Sequence, residues 1–176
     1  MQVRIARGAD LAQCLALDHS YETEYVWQMQ TYAGADRVEA AFQRSRLPRP
    51  VTVCAPPNEQ WLRENWERQD CFLVAEHMGH VLGYVDMTVR AWQLTGWVNH
   101  LGVGRNYRRH GIGTALLKAA RLWAEQQDLR VIIAETQPKN HPAIQMCRQL
   151  GFHFCGYNEQ YYSNEDIALL FAWRLR

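Results

Sequence analysis

The chain is short of most features that would assign it at once. Its 176 residues carry a formal charge of +1, so no overall basic field argues for nucleic acid as a partner. No apolar run approaches the ~18 residues of a membrane span, and the opening MQVRIARGAD has no signal-peptide core. The five cysteines (Cys14, Cys54, Cys71, Cys147, Cys155) form no CxxC and no zinc-like spacing with histidine. No metal site is expected, and the odd, dispersed thiols read as reduced, which with the missing leader predicts a cytoplasmic protein without a membrane partner. Lysine is almost absent: only Lys118 and Lys139 occur, the other cations being arginines. There is no internal repeat and no Pro/Gly/Ser linker, so a single domain over residues 1–176 is expected.

What is present is a series of alternating apolar patterns. VRIA (3–6) reads as a strand, and Leu11, Cys14, Leu15 and Leu17 form a helical stripe. Residues 21–34 read equally as helix or strand. Four of the six prolines fall in 44–59, which predicts a loop with at most one strand inside. Residues 59–69 suit a short helix, and 71–92 are two apolar runs around HMGH, a hairpin. Trp97, Asn99, Leu101 and Val103 alternate on one face of a strand over 96–104, which turns His100 to the opposite face. Ile112, Ala115, Leu116, Ala119, Leu122 and Trp123 mark an amphipathic helix over 112–127. LRVIIAETQ (129–137) is a buried strand. Asn140 caps a helix that carries a proline in its first turn and ends at Gly151. Strands over 153–162 and 167–175 close the chain. The order predicts an α+β fold with helices on the faces of a sheet.

Between strand 96–104 and helix 112–127 lies YRRHGIG (107–113). Glycines expose backbone N–H groups, and the first turn of a helix has unpaired donors and partial positive charge. Such an end suits phosphate or pyrophosphate, with Arg108 and Arg109 adding charge; a strand-to-helix turn with two solvated arginines is the plain alternative. A P-loop is excluded, because Gly113-Thr114-Ala115 stands where Gly-Lys-Ser/Thr is needed. The dinucleotide fingerprint G-x-G-x-x-G/A is weakened by Leu116 at its third position, although Glu135 lies at a compatible distance.

RRHGIG (108–113) resembles the R/Q-x-x-G-x-G/A loop of the GNAT superfamily of N-acetyltransferases. NHPAIQMCRQLGF (140–152) resembles that family's N-x-x-A-(x)7-G-F signature, in order and on the right elements. The match covers roughly 70–156, and ETQPKNHPA with NEDIALLFAW is similar to streptothricin-type acetyltransferases. The resemblance implies a mixed, mostly antiparallel central sheet flanked by helices, with a splayed strand pair forming the cofactor cleft. It implies an N-acetyltransferase that moves acetyl from acetyl-CoA to a primary amine of a small molecule or peptide by direct attack on the thioester. A non-catalytic acyl-CoA-binding or sensor module is the alternative.

Carried over residue by residue, the resemblance implies that the pyrophosphate sits over Arg108, Arg109, His110, Gly111, Ile112, Gly113 and Thr114. Main-chain groups of Leu101 and Val103 would pair with the pantetheine arm, and Asn140 and Ala143 belong to the helix beside it. Many members carry a tyrosine acid seven residues after that Asn; here Cys147 stands there, either as a thiol acid or as a small filler, with Tyr157, Tyr161 and Tyr162 as other hydroxyls. The base is open among Glu135, Asp86 and water relayed through them, with Asn99 facing the cleft. Tyr21, Tyr25 and Trp27, with Glu22 and Glu24, occupy the region that shapes the acceptor pocket for a cationic amine, or else pack a variable element. Late strands in such folds often pair between subunits, which makes a homodimer an expectation too.

Overall fold

The structure, a computed structural model, describes residues 1–54 and 58–175. Thirteen strands and helices follow in the order β1 (Gln2–Ile5), α1 (Asp10–Ala16), β2 (Tyr21–Ala33), β3 (Val38–Val53), α2 (Glu59–Glu67), β4 (Cys71–His77), β5 (His80–Arg90), β6 (Thr95–Val103), α3 (Ile112–Gln126), β7 (Val131–Thr136), α4 (His141–Gln149), β8 (His153–Asn158) and β9 (Ala168–Arg174). Seven strands form one sheet in the order β1-β4-β5-β6-β7-β9-β8, and β2 and β3 form a separate two-stranded ribbon. The expected α+β architecture is present: β6 and β7 pair in parallel, and every other pair is antiparallel.

The sheet is covered on both faces, and period-two alternation decides which side chain meets which helix. On β4 and β5, Leu73, Ala75, Val85 and Met87 join Leu116, Leu117 and Ala120 of α3, together with Ile132, Ile144 and Phe152. Their neighbours Phe72, Val74 and Tyr84 face the other way, onto Leu11 and Cys14 of α1 and Leu62 of α2.

The main departure from expectation is the ribbon. Of residues 21–34, which read equally as helix or strand, Tyr21–Ala33 are strand, and β3 extends into the proline-rich stretch as far as Val53, where a loop with at most one strand is expected; residues 55–57 of that stretch lie outside the described ones. Pairing passes from Thr23↔Val51 to Tyr25↔Arg46, so Pro48 and Pro50 fall inside a bulge where no ladder bond is required of them. The ribbon is fastened at its base: Trp27 N–H donates to the Pro138 carbonyl at 3.0 Å, and Phe42 packs on Phe154 and Tyr157 at ring distances of 5.5 and 5.4 Å. Beyond this base the tip, with Tyr32 and Val38, is exposed. Leu122, assigned by spacing to the apolar stripe of α3, is also on the surface.

The helix that carries the glycine loop is anchored by Leu116, which is fully buried. Leu116→Ala should lower unfolding free energy by about 2–5 kcal/mol, whereas Leu122→Ala should stay within about 0.5 kcal/mol. Urea unfolding of the two variants checks this; equal losses would mean that α3 is not seated as described.

Candidate active site

Parallel pairing of β6 with β7 is brief, running from Thr95↔Val131 to Val98↔Ala134. Beyond it the strands part. The β5–β6 register explains part of the divergence: Met87 opposes Val98 while Asp86 opposes His100, leaving Asn99 as an extra residue in β6. Past the bulge, the Gly104 amide donates to the Leu82 carbonyl at 2.9 Å. That bond sets the phase of the ladder, so the main-chain groups of Leu101 and Val103 face away from β5, toward the side β7 has left. A cavity of about 450 Å³ opens in this fork, with Asn99, Leu101, Glu135, Asn140, Ala143 and Cys147 among its lining.

At one end of the fork β6 runs into the glycine loop. Gly111 has φ +78°, and a Cβ there would meet nothing within 4 Å, so it is the backbone conformation that calls for glycine. At Gly113 space is the issue: a Cβ would lie 3.1 Å from Met146 Sδ of α4. Ala115 N–H→Gly111 O, at 2.9 Å, is the first bond of α3. Among the described residues no acceptor takes the amides of residues 109–114. They form a run of donors at the positive end of a fifteen-residue helix.

Arg108 behaves otherwise than its motif position suggested. Its guanidinium turns inward and donates to the carbonyls of Val103 at 2.9 Å and Asp18 at 2.6 Å, and to that of Ser20. Those orphan acceptors at the end of β6 and in the α1–β2 connection draw the side chain away from solvent, and burial lowers its pKa. Its guanidinium is therefore turned away from the open amides of the loop. Arg109 and His110 remain exposed beside the free amides.

On α4, Asn140 accepts the Ala143 amide at 3.2 Å, the N-cap read from the sequence. Cys147 borders the cavity but belongs to the core, and burial pushes its thiol up to about 12. A proton held that firmly is a poor one to give a departing thiolate, which supports the filler.

The opposite wall is polar. Glu135, the first β7 residue past the parallel pairing, accepts from Trp97 Nε1 at 2.7 Å and from the Tyr161 hydroxyl at 2.5 Å. Burial raises its pKa, against the pull of those two bonds and of Arg90, which stacks 3.7 Å from the Trp97 ring centroid. Tyr21 and Tyr162 also line the cavity, and the buried Tyr21 hydroxyl has no partner among the described residues. Tyr25 and Trp27 instead pack against His141 of α4, the Trp27 Nε1–H lying 3.3 Å from its Nδ1. Glu22 pairs with Arg105 and Glu24 with Arg46, both on the surface.

The bulge also corrects the placement of His100. Strict alternation put it on the far face; with Asn99 inserted, His100 lines the cavity, its Nδ1 lying 3.3 Å from Asp86 Oδ2. The same oxygen receives Asn65 Nδ2 of α2 at 2.7 Å and Asn99 Nδ2 at 3.4 Å. Asn65 escaped the sequence reading, although a signal was there: it sits three residues after the buried Leu62, on the stripe where an apolar residue is the rule.

Comparison with known proteins places this geometry. The family model described as "Acetyltransferase (GNAT) family" matches residues 37–152. An N-alpha-acetyltransferase of Sulfurisphaera tokodaii is 32% identical over 118 residues, 60% of this chain and 70% of that protein. N-alpha-acetyltransferase 30 of Homo sapiens is 33% identical over 115 residues, but the chain spans only 31% of its length. Streptothricin acetyltransferase of Streptomyces lavendulae is 25% identical over 168 residues, 92% of this chain and 86% of that one. Among solved structures, nourseothricin acetyltransferase superposes with a TM-score of 0.84 at 24% identity, over 99% of this chain and 98% of its own. A Bacillus anthracis structure in complex with acetyl coenzyme A gives 0.77 at 17% identity, over 98% and 96%. At these identities the two structures establish a shared fold.

The raised Glu135 carboxyl has a consequence for stability. The folded protein holds this proton more firmly than the unfolded chain, so the contribution is complete below the ordinary carboxylate range and lost as pH rises through the raised value. Glu135→Gln should flatten that decline as pH rises from the ordinary carboxylate range, about pH 4, upward. Urea midpoints across this range check it, and a steeper fall in the variant would contradict the sign.

Proposed function

The chain belongs to the acetyltransferase (GNAT) family, and from that membership we propose that it transfers the acetyl group of acetyl-CoA to a primary amine of a small molecule or peptide by direct attack on the thioester. The observation that carries this is the run of unclaimed amides over residues 109–114, opening at the head of α3 onto a forked sheet. Donors with no partner suit a diphosphate, and the helix end adds positive potential. Arg109 and His110 supply further contacts there, with Gly111, Ile112, Gly113 and Thr114 giving main chain, while Arg108 holds the loop's shape.

In this reading the pantetheine arm lies along Leu101 and Val103, meeting the main-chain groups of Leu101 and the Val103 amide, since Arg108 already takes the Val103 carbonyl, with Asn140 and Ala143 of α4 on its other side. The fork aims the thioester past the bulge, where an amide of β6 faces the carbonyl oxygen and steadies the charge that develops on attack. Alignment and carbonyl polarisation are then the protein's main contributions. Glu135, with Trp97, Tyr161, Tyr162 and Tyr21 around it, receives a cationic amine by charge and by aromatic faces; Asn99 lies between this wall and the bulge. The whole chain works as one unit, and its dispersed free thiols fit a reducing cytoplasm. β8, at the end of the sheet, is the edge through which two copies would pair.

A second reading, a non-catalytic acyl-CoA sensor, is favoured by the core thiol of Cys147 where a tyrosine acid stands in many relatives. Two measurements separate the readings. Calorimetry should give saturable acetyl-CoA binding below about 1 mM, abolished by Gly113→Trp, whose side chain has to displace Met146. Thiol release from acetyl-CoA across a panel of amines should be steady and multiple-turnover. Binding without turnover leaves the sensor; absence of binding removes both.

A further inference from the structure

We infer that His100, oriented by Asp86, is the group that takes the proton from the acceptor amine. The inference rests on the acetyl-transfer reading and goes beyond it, since that reading leaves the base unassigned. An alkylammonium of pKa ~10.4 is no nucleophile until it loses a proton. Glu135, His100 and His19 line the cavity, with Asp86 behind His100, and their partners sort these four side chains into different tasks; His19 Nε2 is already engaged by the Tyr84 hydroxyl at 3.1 Å.

Asp86 is out of reach. Its side chain is 2% exposed and its Oδ2 already meets Asn65, Asn99 and His100, so it lies behind the imidazole rather than beside a substrate. Glu135 holds two short bonds on one oxygen, from Trp97 and Tyr161, and serves best as the fixed anion that attracts an ammonium. His100 is 17% exposed and lines the cavity. With the carboxylate at Nδ1, the neutral ring carries its hydrogen there and leaves Nε2 as a bare lone pair. No described residue bonds Nε2. The Trp61 indole stands edge-on to the ring, its centroid 4.9 Å away, and limits its rotation.

The surroundings compensate the charge that arrives with the proton. Asp86 faces the ring from β5 and Glu135 from β7; α2 offers the neutral Trp61 and Asn65, and β6 itself the neutral Asn99. The other imidazole, His19 in the α1–β2 connection, is kept toward its neutral form by burial and donates to or accepts from Tyr84 at 3.1 Å. Two anions thus flank one incoming cation.

His100 Nε2 takes one proton from the ammonium, and the freed lone pair attacks the thioester carbon, forming the C–N bond. As the tetrahedral centre collapses the C–S bond breaks, the coenzyme A sulfur leaves with its electron pair, and the nitrogen's surplus proton passes to that sulfur. His100 then returns its proton to solvent, giving amide, free thiol and one released proton. Asp86 is a positioning residue: it fixes the tautomer and aims Nε2.

The test uses His100→Gln, which still offers Asp86 an N–H donor but has no base, and His100→Ala, which leaves room for a small rescuing base. With lysine amide, spermidine and short peptides as amine probes, kcat for H100Q should fall about 10²-fold, with KM for acetyl-CoA within threefold of the unaltered protein. The deficit should shrink as pH approaches the amine's own pKa, and added imidazole should restore part of the H100A loss. A deficit that is the same at every pH and is not rescued, or kcat within threefold of the unaltered protein, overturns the assignment to His100. Absence of turnover by the unaltered protein overturns the acetyl-transfer reading instead. Independently of any acceptor, long-range 15N–1H spectra of the His100 ring should show the neutral form protonated at Nδ1, and protonation at Nε2 would overturn the orientation by Asp86.

Discussion

The active-site region depends on a pairing that stops. β6 and β7 are held together over Thr95–Val98 and Val131–Ala134, and then separate. They can do so without melting because each keeps its other neighbour: β6 stays on β5 as far as Val103, and β7 stays on β9 as far as Thr136. Each strand therefore loses one ladder and retains one. The cost is a set of main-chain donors and acceptors facing an opening with no strand to meet them, and buried polar groups need partners. A ligand with its own amides and carbonyls resolves this deficit, as a polypeptide strand would.

The same economy governs the loop beyond β6. The carbonyls around it, Val103 at the end of β6 and Asp18 and Ser20 in the α1–β2 connection, are satisfied by one guanidinium, that of Arg108, while the loop's own amides are left open. Acceptors are consumed and donors are spared. The result is a surface of one electrostatic sign made largely from backbone, in a chain whose formal net charge is only +1. Inside the fork the polarity reverses: Glu135 lines the cavity among aromatic and amide side chains, with Asp86 behind His100, so that the loop suits an anionic partner and the cavity a cationic one.

Local patterns carried much of this. Helix α3, the Asn140 cap, the β4–β5 hairpin and the strands β6 and β7 follow from periodicity and capping chemistry, and they appear within a residue or two of where spacing predicts them, whereas the splayed pairing of β6 with β7 came only from the family resemblance. The glycine loop was legible because its two glycines answer different local demands, a positive φ and a close helix contact. What spacing could not convey was anything decided by a partner far along the chain. Pro48 and Pro50 argue for a loop until the bulge opposite Glu24 removes the need for their amides. Alternation sends His100 to the wrong face because one inserted residue, Asn99, resets the count. The direction of Arg108 is set by carbonyls as distant as Asp18, and that of Asn65 by a carboxylate on β5.

The β2–β3 ribbon has a mechanical meaning. It is tied to the cavity's rim at Pro138 and His141, two residues before and one after Asn140, yet its tip projects into solvent. Six residues of β2 extend past Trp27, an arm of roughly 20 Å at a strand's rise per residue. The ribbon joins an exposed surface to the segment that opens α4, so a partner covering the tip would be fastened, through Trp27, to the wall of the fork that carries Asn140 and Ala143.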